Sequence, residues 1–258
     1  SFKIVCIGES TTHCGDMEDY KDSWPAVLHR KLNLKEKCTV INFGVGAWNT
    51  IQSQIRCLTY LNKIKPNLLV FYHAKNDLTP LMNGNLKEKL IMPDLQNIMA
   101  QFSERYFINH PLFLFLFPLI SIIYFYKYTN FSKIGLLNIY KPNPAQNPEG
   151  MSRLNDDFLE SIIYRQKNII KLCQDIKCRV LYLPEIVTDG IYRDILFENL
   201  YPKLIDVIDK ENNTVVYNID SLIPKTSNYF WDKMHFTKDG NKLFAEILTN
   251  KIIKDYLN

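Results

Sequence analysis

Only nine glycines stand among 258 residues, no Cys-x-x-Cys pair occurs, and lysine and arginine form no long run. So little glycine, with twelve prolines, excludes a collagen-like or low-complexity chain, and no self-similar spacing announces a repeat array. The six cysteines (Cys6, Cys14, Cys38, Cys57, Cys173, Cys178) are spread thinly, which indicates neither a zinc knuckle nor a disulfide-stapled fold. Charge of one sign is scarce too: 31 basic residues are interspersed with 27 acidic ones, for a net +4, so nucleic acid is not an expected partner. What the chain does have is apolar mass. At 47% hydrophobic residues it can bury a sizeable core, and one domain is expected over residues 1–258.

Short β-branched and aromatic runs alternate with longer stretches of helical spacing, the pattern of a parallel sheet covered on both faces, so the fold class is α/β. The runs Phe2–Ile7, Thr39–Phe43, Leu68–Tyr72, Arg179–Leu183 and Thr214–Ile219 read as strands. Ser23 ahead of Trp24 and Pro25 reads as an N-cap opening a helix that runs to about Leu32. A second helix is expected over Thr50–Lys63, with Ile51, Ile55, Leu58 and Leu61 turned toward the sheet. Leu154–Ile176 reads as a long amphipathic helix with Leu154, Phe158, Ile162, Ile169 and Leu172 inward. Further helices are expected over Tyr192–Asp209 and Thr237–Tyr256. Residues 78–150 break the alternation and read as an insertion between the third and fourth strands, with helices near Asp94–Tyr106 and Pro111–Tyr126.

Four polar stretches follow strands. Gly8-Glu9-Ser10-Thr11-Thr12 follows the first, Asn42-Phe43-Gly44-Val45-Gly46 the second, Ala74-Lys75-Asn76-Asp77 the third and Asp232-Lys233-Met234-His235 the fifth. In an open parallel sheet the carboxyl ends of the strands share one edge, and with strand order 2-1-3-4-5 Ser10 sits between Gly44 and Asn76. A serine hydroxyl is a weak nucleophile at neutral pH and needs a base, for which His235 is the best candidate. The imidazole in turn needs its other nitrogen held by an acceptor, and Asp232, three residues earlier, supplies one. A carbonyl under attack becomes an oxyanion that requires preorganised donors: the Ser10 N–H, the Gly44 N–H and the Asn76 amide.

This constellation resembles the SGNH hydrolases, the GDSL-type esterases and lipases, through Gly8-Glu9-Ser10, Gly44, Asn76-Asp77 and Asp232-x-x-His235 in that order. The resemblance implies a three-layer α/β/α sandwich on a five-stranded parallel sheet of flavodoxin-like order 2-1-3-4-5. It implies no metal and no organic cofactor, and hydrolysis of esters or thioesters through an acyl-serine intermediate. By carry-over Ser10 is nucleophile and oxyanion donor, Gly44 and Asn76 complete the oxyanion hole, and Asp232 and His235 finish the triad. Two positions depart from the family pattern. Glu9 replaces the commoner Asp, a mild change if its side chain lies outside the mechanism. Ala74 replaces a glycine, which matters if the backbone there needs a positive φ.

Several residues have simpler roles available. His13 is expected on the rim, His73 as a hydrogen-bonded structural residue at the end of the third strand, and His29 and His110 as structural. Thr11-Thr12-His13-Cys14 lacks the second ligand pair that a metal needs. Residues 106–126 carry no charge and approach the length of a membrane span. A single crossing would set Ser10 and His235 on opposite sides of a bilayer, so the segment is expected either to be buried or dimer-forming, or to make peripheral membrane contact. The chain begins at Ser1 with Phe2 already in an apolar run, so a missing signal peptide excludes nothing. A cell-envelope or membrane-associated location is expected ahead of a cytoplasmic one.

The leading expectation is a serine ester hydrolase acting on an O-acyl ester of a saccharide or lipid-type molecule. Two alternatives stay open: an acyltransferase using the same serine, and a non-catalytic carbohydrate-binding or membrane-associated protein that retains the fold. The second draws its support from Ala74.

Overall fold

The computed structural model describes residues 1–82 and 156–257, apart from positions 16 and 35. Residues Ser1–Thr79 and Leu154–Asn258 form one compact unit, built on a five-stranded sheet in which every neighbouring pair runs parallel. The strands are β1 (Phe2–Gly8), β2 (Cys38–Asn42), β3 (Leu68–Tyr72), β4 (Arg179–Leu183) and β5 (Thr214–Val216), in spatial order β2-β1-β3-β4-β5. This is the expected order, and it places the carboxyl ends of β1 and β3 side by side, with Gly8 opposite Tyr72. The expected helices of the insertion, and the apolar stretch 106–126, lie outside the described residues. Among the described residues no helix is long and apolar enough to cross a membrane.

Burial explains which strands are central. All five residues of β3 are buried, as are Ile4, Val5, Cys6 and Ile7 of β1. A strand covered on both faces has no solvent side to alternate with, so it reads as a continuous apolar run. β5 is an edge strand and stops at Val216 instead of Ile219. There Asn218 Oδ1 accepts the Asp220 N–H at 3.0 Å and turns the chain into a short 3₁₀ helix, Asp220–Leu222.

One face of the sheet carries α2 (Trp24–Asn33) and α8 (Lys238–Ile252), which pack together. Their contact with β3 is aromatic: Trp24 and Phe244 lie with ring centroids 5.0 Å apart, and Phe244 and Tyr72 4.9 Å apart. Such tilted pairs contribute about 0.5–1.5 kcal/mol beyond their area. Ser23 precedes α2 as expected, but its side chain makes no capping bond. The Pro at the start of the helix stays, because its missing N–H is one the first turn would leave unpaired anyway. α8 is capped by Thr237, whose Oγ1 accepts the Gly240 N–H at 3.1 Å.

The other face carries α3 (Thr50–Ile64) and α5 (Asp156–Asp175). On α5, Ile162 and Ile169 are buried as expected while Leu172 is only half-buried, and Ile163, Gln166, Ile170 and Cys173 complete the inner stripe. The Leu154 and Phe158 side chains lie outside the described residues. α3 begins at a reciprocal cap in which Asn49 Oδ1 accepts the Ile51 N–H at 2.9 Å and Gln52 Oε1 accepts the Asn49 N–H at 2.7 Å. The expected inner stripe of α3 is corrected. Ile55 and Leu58 are 46% and 57% exposed, and the buried row is Thr50, Ser53, Cys57 and Leu61. Small side chains at Ser53 and Cys57 let the helix lie close to the sheet, and the bulkier residues turn outward. Between β3 and α5 lie α4 (Lys75–Met82) and the undescribed segment. After β4 come α6 (Ile191–Asp194), a π-helical stretch Ile195–Leu200, and α7 (Tyr201–Ile208).

The corrected stripe gives a direct test. Leu61→Ala should destabilise the fold by about 2–5 kcal/mol, while Leu58→Gln should change stability by no more than about 0.5 kcal/mol. Chemical denaturation of both variants measures the contrast, and comparable losses would contradict this packing.

Candidate active site

Three turns meet at the carboxyl edge of the sheet. The chain leaves β1 at Gly8, passes Glu9 and enters α1 (Ser10–His13), a helix of four residues beginning at Ser10 itself. The turn after β2 lies against it so closely that a Cβ on Gly44 would collide with the backbone of Thr12 and His13. Asn42 fixes this approach, donating from Nδ2 to Thr12 O at 3.0 Å while its Oδ1 accepts the Gly44 N–H at 2.8 Å. The turn after β3 is tied to the first through Glu9, whose Oε1 accepts the Asn76 N–H at 3.0 Å.

The fourth stretch comes from the far end of the chain. Phe230 and Phe236 form an isolated antiparallel bridge, both rings are buried, and Phe236 lies 5.0 Å from Phe244 in the core. The bridge closes a tight turn that carries Asp232 and His235. Asp232 Oδ1 accepts the backbone N–H groups of Met234 at 2.8 Å and His235 at 2.7 Å, and Oδ2 faces His235 Nδ1 at 2.6 Å. His235 Nε2 lies 2.8 Å from Ser10 Oγ. This requires the tautomer in which Nδ1 carries the proton toward Asp232 and Nε2 accepts from the serine. Trp231 stacks on the imidazole, with centroids 5.1 Å apart and an interplanar angle of 20°, and remains 54% exposed. A shallow pocket beside Ser10 is lined by Cys14, Met17, Trp231, His235 and Asn241 among others.

The structure thus brings Ser10, Asp232 and His235 into one hydrogen-bonded chain. Asn76 stands at the neighbouring turn with its Nδ2 donating to Trp48 O at 3.1 Å, which uses one of the two amide hydrogens. Gly44 is also in place, with its N–H committed to Asn42. Ala74 is not among the residues with positive φ; it is fully buried and its N–H donates to Glu185 Oε2 at 2.9 Å. A methyl group there costs the backbone nothing, and the support that Ala74 lent to a non-catalytic reading is gone. His73 is fully buried with Nε2 3.1 Å from Ser53 Oγ, the structural position expected of it. His29 Nδ1 accepts the Val40 N–H at 3.3 Å at the sheet edge. His13 is exposed, as a rim residue should be. His110 lies outside the described residues. Among the described residues no group of three His, Cys, Asp or Glu could hold a metal ion.

The expectation for Glu9 needs correction. Its side chain is fully buried and holds the Asn76 backbone, so it takes part in shaping the site. Glu185 was not anticipated at all. It is fully buried just after β4, and a signal was there: Pro184-Glu185 is the polar step after the fourth strand, in the position that the other three stretches occupy after theirs.

A parallel α/β sheet whose carboxyl edge carries a serine, histidine and aspartate in hydrogen-bonded sequence defines a carboxylic ester hydrolase. The chain belongs to the GDSL-like lipase/acylhydrolase family, whose sequence profile matches residues 4–248. In fold it is similar to Axe2, an acetylxylan esterase from Geobacillus stearothermophilus. Identity is 11%, the similarity covers 97% of this chain and 94% of that one, and the TM-score is 0.58. It is similar also to a member of the lipolytic protein G-D-S-L family from Veillonella parvula, at 12% identity over 100% of both chains with a TM-score of 0.54. No curated protein matches the chain by sequence.

Burial alone would raise the pKa of Asp232. The amides of His235 and Met234 and the His235 ring outweigh it and hold the carboxyl below its usual range. A depressed folded pKa contributes stability that is present above the unfolded value near 3.9 and is lost as pH falls through the folded one. Asp232→Asn keeps the carbonyl acceptor but not the charge. Wild type should therefore exceed this variant in stability at pH 6–7, with the difference fading toward about pH 2. Denaturation across that range measures it, and a difference independent of pH would contradict the arrangement.

Proposed function

We propose that the chain cleaves an O-acyl ester of a saccharide or lipid-type molecule through an acyl-serine intermediate formed on Ser10. The observation that carries this reading is the 2.8 Å contact between Ser10 Oγ and His235 Nε2, continued at 2.6 Å from Nδ1 to Asp232. As Oγ attacks the ester carbonyl, its proton passes to Nε2 and the carbonyl oxygen takes up the negative charge. Asp232 stabilises the imidazolium that forms. The Ser10 N–H and the second hydrogen of the Asn76 amide serve the oxyanion. The Gly44 N–H joins them when it exchanges Asn42 for the substrate. Nε2 then returns the proton to the leaving alcohol, and the acyl group stays on Ser10. Water next gives a proton to Nε2, attacks the acyl carbon and releases the acid, restoring the serine.

Access supports hydrolysis over transfer to another alcohol. The side chains of His235 and Asp232 keep 19% and 36% exposure, so water reaches the base. Saccharide and lipid acceptors share the feature that the rim offers them. The exposed indole of Trp231 is an apolar face against which a sugar ring or an alkyl chain can lie. The acetylxylan esterase among the structures of similar fold favours the sugar.

Ser10→Ala should abolish turnover of p-nitrophenyl acetate and labelling by a fluorophosphonate, and Asn76→Ala should lower kcat by about 10²–10³. Persistent labelling of the Ser10 variant would sink the assignment. A rate series over acetyl, octanoyl and palmitoyl esters beside an acetylated xylooligosaccharide separates the substrate classes. Preference for the acetyl sugar is expected, and preference for the long chains would assign the site to lipids.

A further inference from the structure

Beneath the triad lies a group of ionisable side chains that the reaction does not use. Glu9, His73 and Glu185 are each fully buried. They gather around the first turn of α4, and each polar contact there joins two different segments. Glu185 Oε2 accepts the N–H of Ala74 at 2.9 Å and of Lys75 at 2.8 Å. Its Oε1 accepts the Thr11 hydroxyl at 2.6 Å. Glu9 Oε1 accepts the next amide, Asn76 N–H, at 3.0 Å, and lies 3.4 Å from His73 Nδ1. Three successive amides leading into Asn76 are thus held by two carboxyl groups, one adjacent in sequence to Ser10 and the other bonded to the residue after it. Glu185 is itself rigidly seated: the Tyr201 hydroxyl accepts its N–H at 2.7 Å and donates to its carbonyl at 3.1 Å.

We propose that Glu185 is a positioning residue of the oxyanion hole, tying the Ala74-Lys75-Asn76 turn to the Thr11 side of the nucleophile turn and so setting where the Asn76 amide stands relative to Ser10. The proposal rests on the assignment of Asn76 as an oxyanion donor. The chemistry of the pair fits the role. Two carboxyl groups within hydrogen-bonding reach in a dry interior cannot both ionise, so they hold one proton between them. Burial first, then the facing Glu9, push Glu185 well above the usual carboxyl range. For Glu9, burial is outweighed by His73, which keeps that carboxyl low, and Glu9 in turn raises His73. The pair therefore stands as a neutral Glu185 beside an ionised Glu9 whose charge His73 balances. Glu9 Oε2, which lacks a conventional donor, is the acceptor available for the shared proton. A neutral acid can accept amides and donate to Glu9 at once, which fixes both turns without an uncompensated buried charge.

The test is a double-mutant cycle on kcat and KM for p-nitrophenyl acetate, with thermal melts to establish that each variant is folded. With Asn76 present, Glu185→Ala should lower kcat by about tenfold or more, since small displacements of an oriented donor are costly, and should leave KM within about threefold. In the Asn76→Ala background the same change should cost less than about twofold, because a positioning residue has nothing left to position. Glu185→Gln, a neutral side chain that keeps an acceptor for the two amides, should restore most of the loss. Equal fold-losses in both backgrounds would overturn the proposal, as would a Gln variant as impaired as the Ala variant. If Glu185→Ala does not fold, Thr11→Val breaks only the bond to the nucleophile turn and goes through the same cycle with the same criteria. If Asn76→Ala is impaired and Glu185→Ala is not, only this proposal fails. If Asn76→Ala turns over at the wild-type rate, the oxyanion assignment fails and takes the proposal with it.

Discussion

A single hydrogen bond joins Ser10 to His235 across 225 positions of sequence, and everything the site can do depends on it. Nothing local holds the two together. Ser10 is placed by β1, which is buried between β2 and β3, and His235 by a turn that Phe230 and Phe236 anchor to the aromatic core beneath α8. A serine without that imidazole is an ordinary hydroxyl. An imidazole without Asp232 has no reason to present Nε2 to the serine. The sheet solves this problem by geometry: parallel strands put every carboxyl end on one edge, so four turns far apart in sequence can share one crevice.

The turns differ in how firmly they are held. The Asp232–His235 turn is held by two backbone donors and a ring on one carboxylate. The turn after β2 is held by the lack of a side chain at Gly44 and by both ends of the Asn42 amide. The turn after β3 is held from below by buried acids. That is the costly choice, since a buried carboxyl must be neutral, paired or fully hydrogen-bonded. Here each condition is met in part: His73 faces Glu9, Glu185 accepts three donors, and one proton serves both acids. Such an arrangement tolerates little displacement, which suits a donor whose value lies in being in place before charge develops.

Much of this was legible in the sequence, for reasons that particular residues make plain. Leu68–Tyr72 and Arg179–Leu183 were read to the residue because a strand buried on both faces leaves an unbroken apolar run. The triad was legible because its chemistry allows few residue types and because each stretch follows a strand. The inner face of α3 was not, since periodicity counts apolar residues and ignores their size. Ser53 and Cys57 won the close contact by being small, leaving Ile55 and Leu58 outside. Glu185 escaped because an isolated glutamate reads as surface, and only the three-dimensional meeting of β1, β3 and β4 ends shows what it faces. Glu9 was seen as a conservative exchange, but its role depends on how far the longer side chain reaches, and composition carries no reach.

The central claim is that the acyl group travels through Ser10. Rapid acid quenching of the enzyme with a slowly hydrolysed ester, followed by peptide mass spectrometry, tests it most directly. The account predicts a single acyl group on the peptide containing Ser10, appearing before steady state and vanishing as substrate is exhausted. An acyl group on Cys14 or His13 instead, or turnover with no acylated peptide at any time, would contradict it.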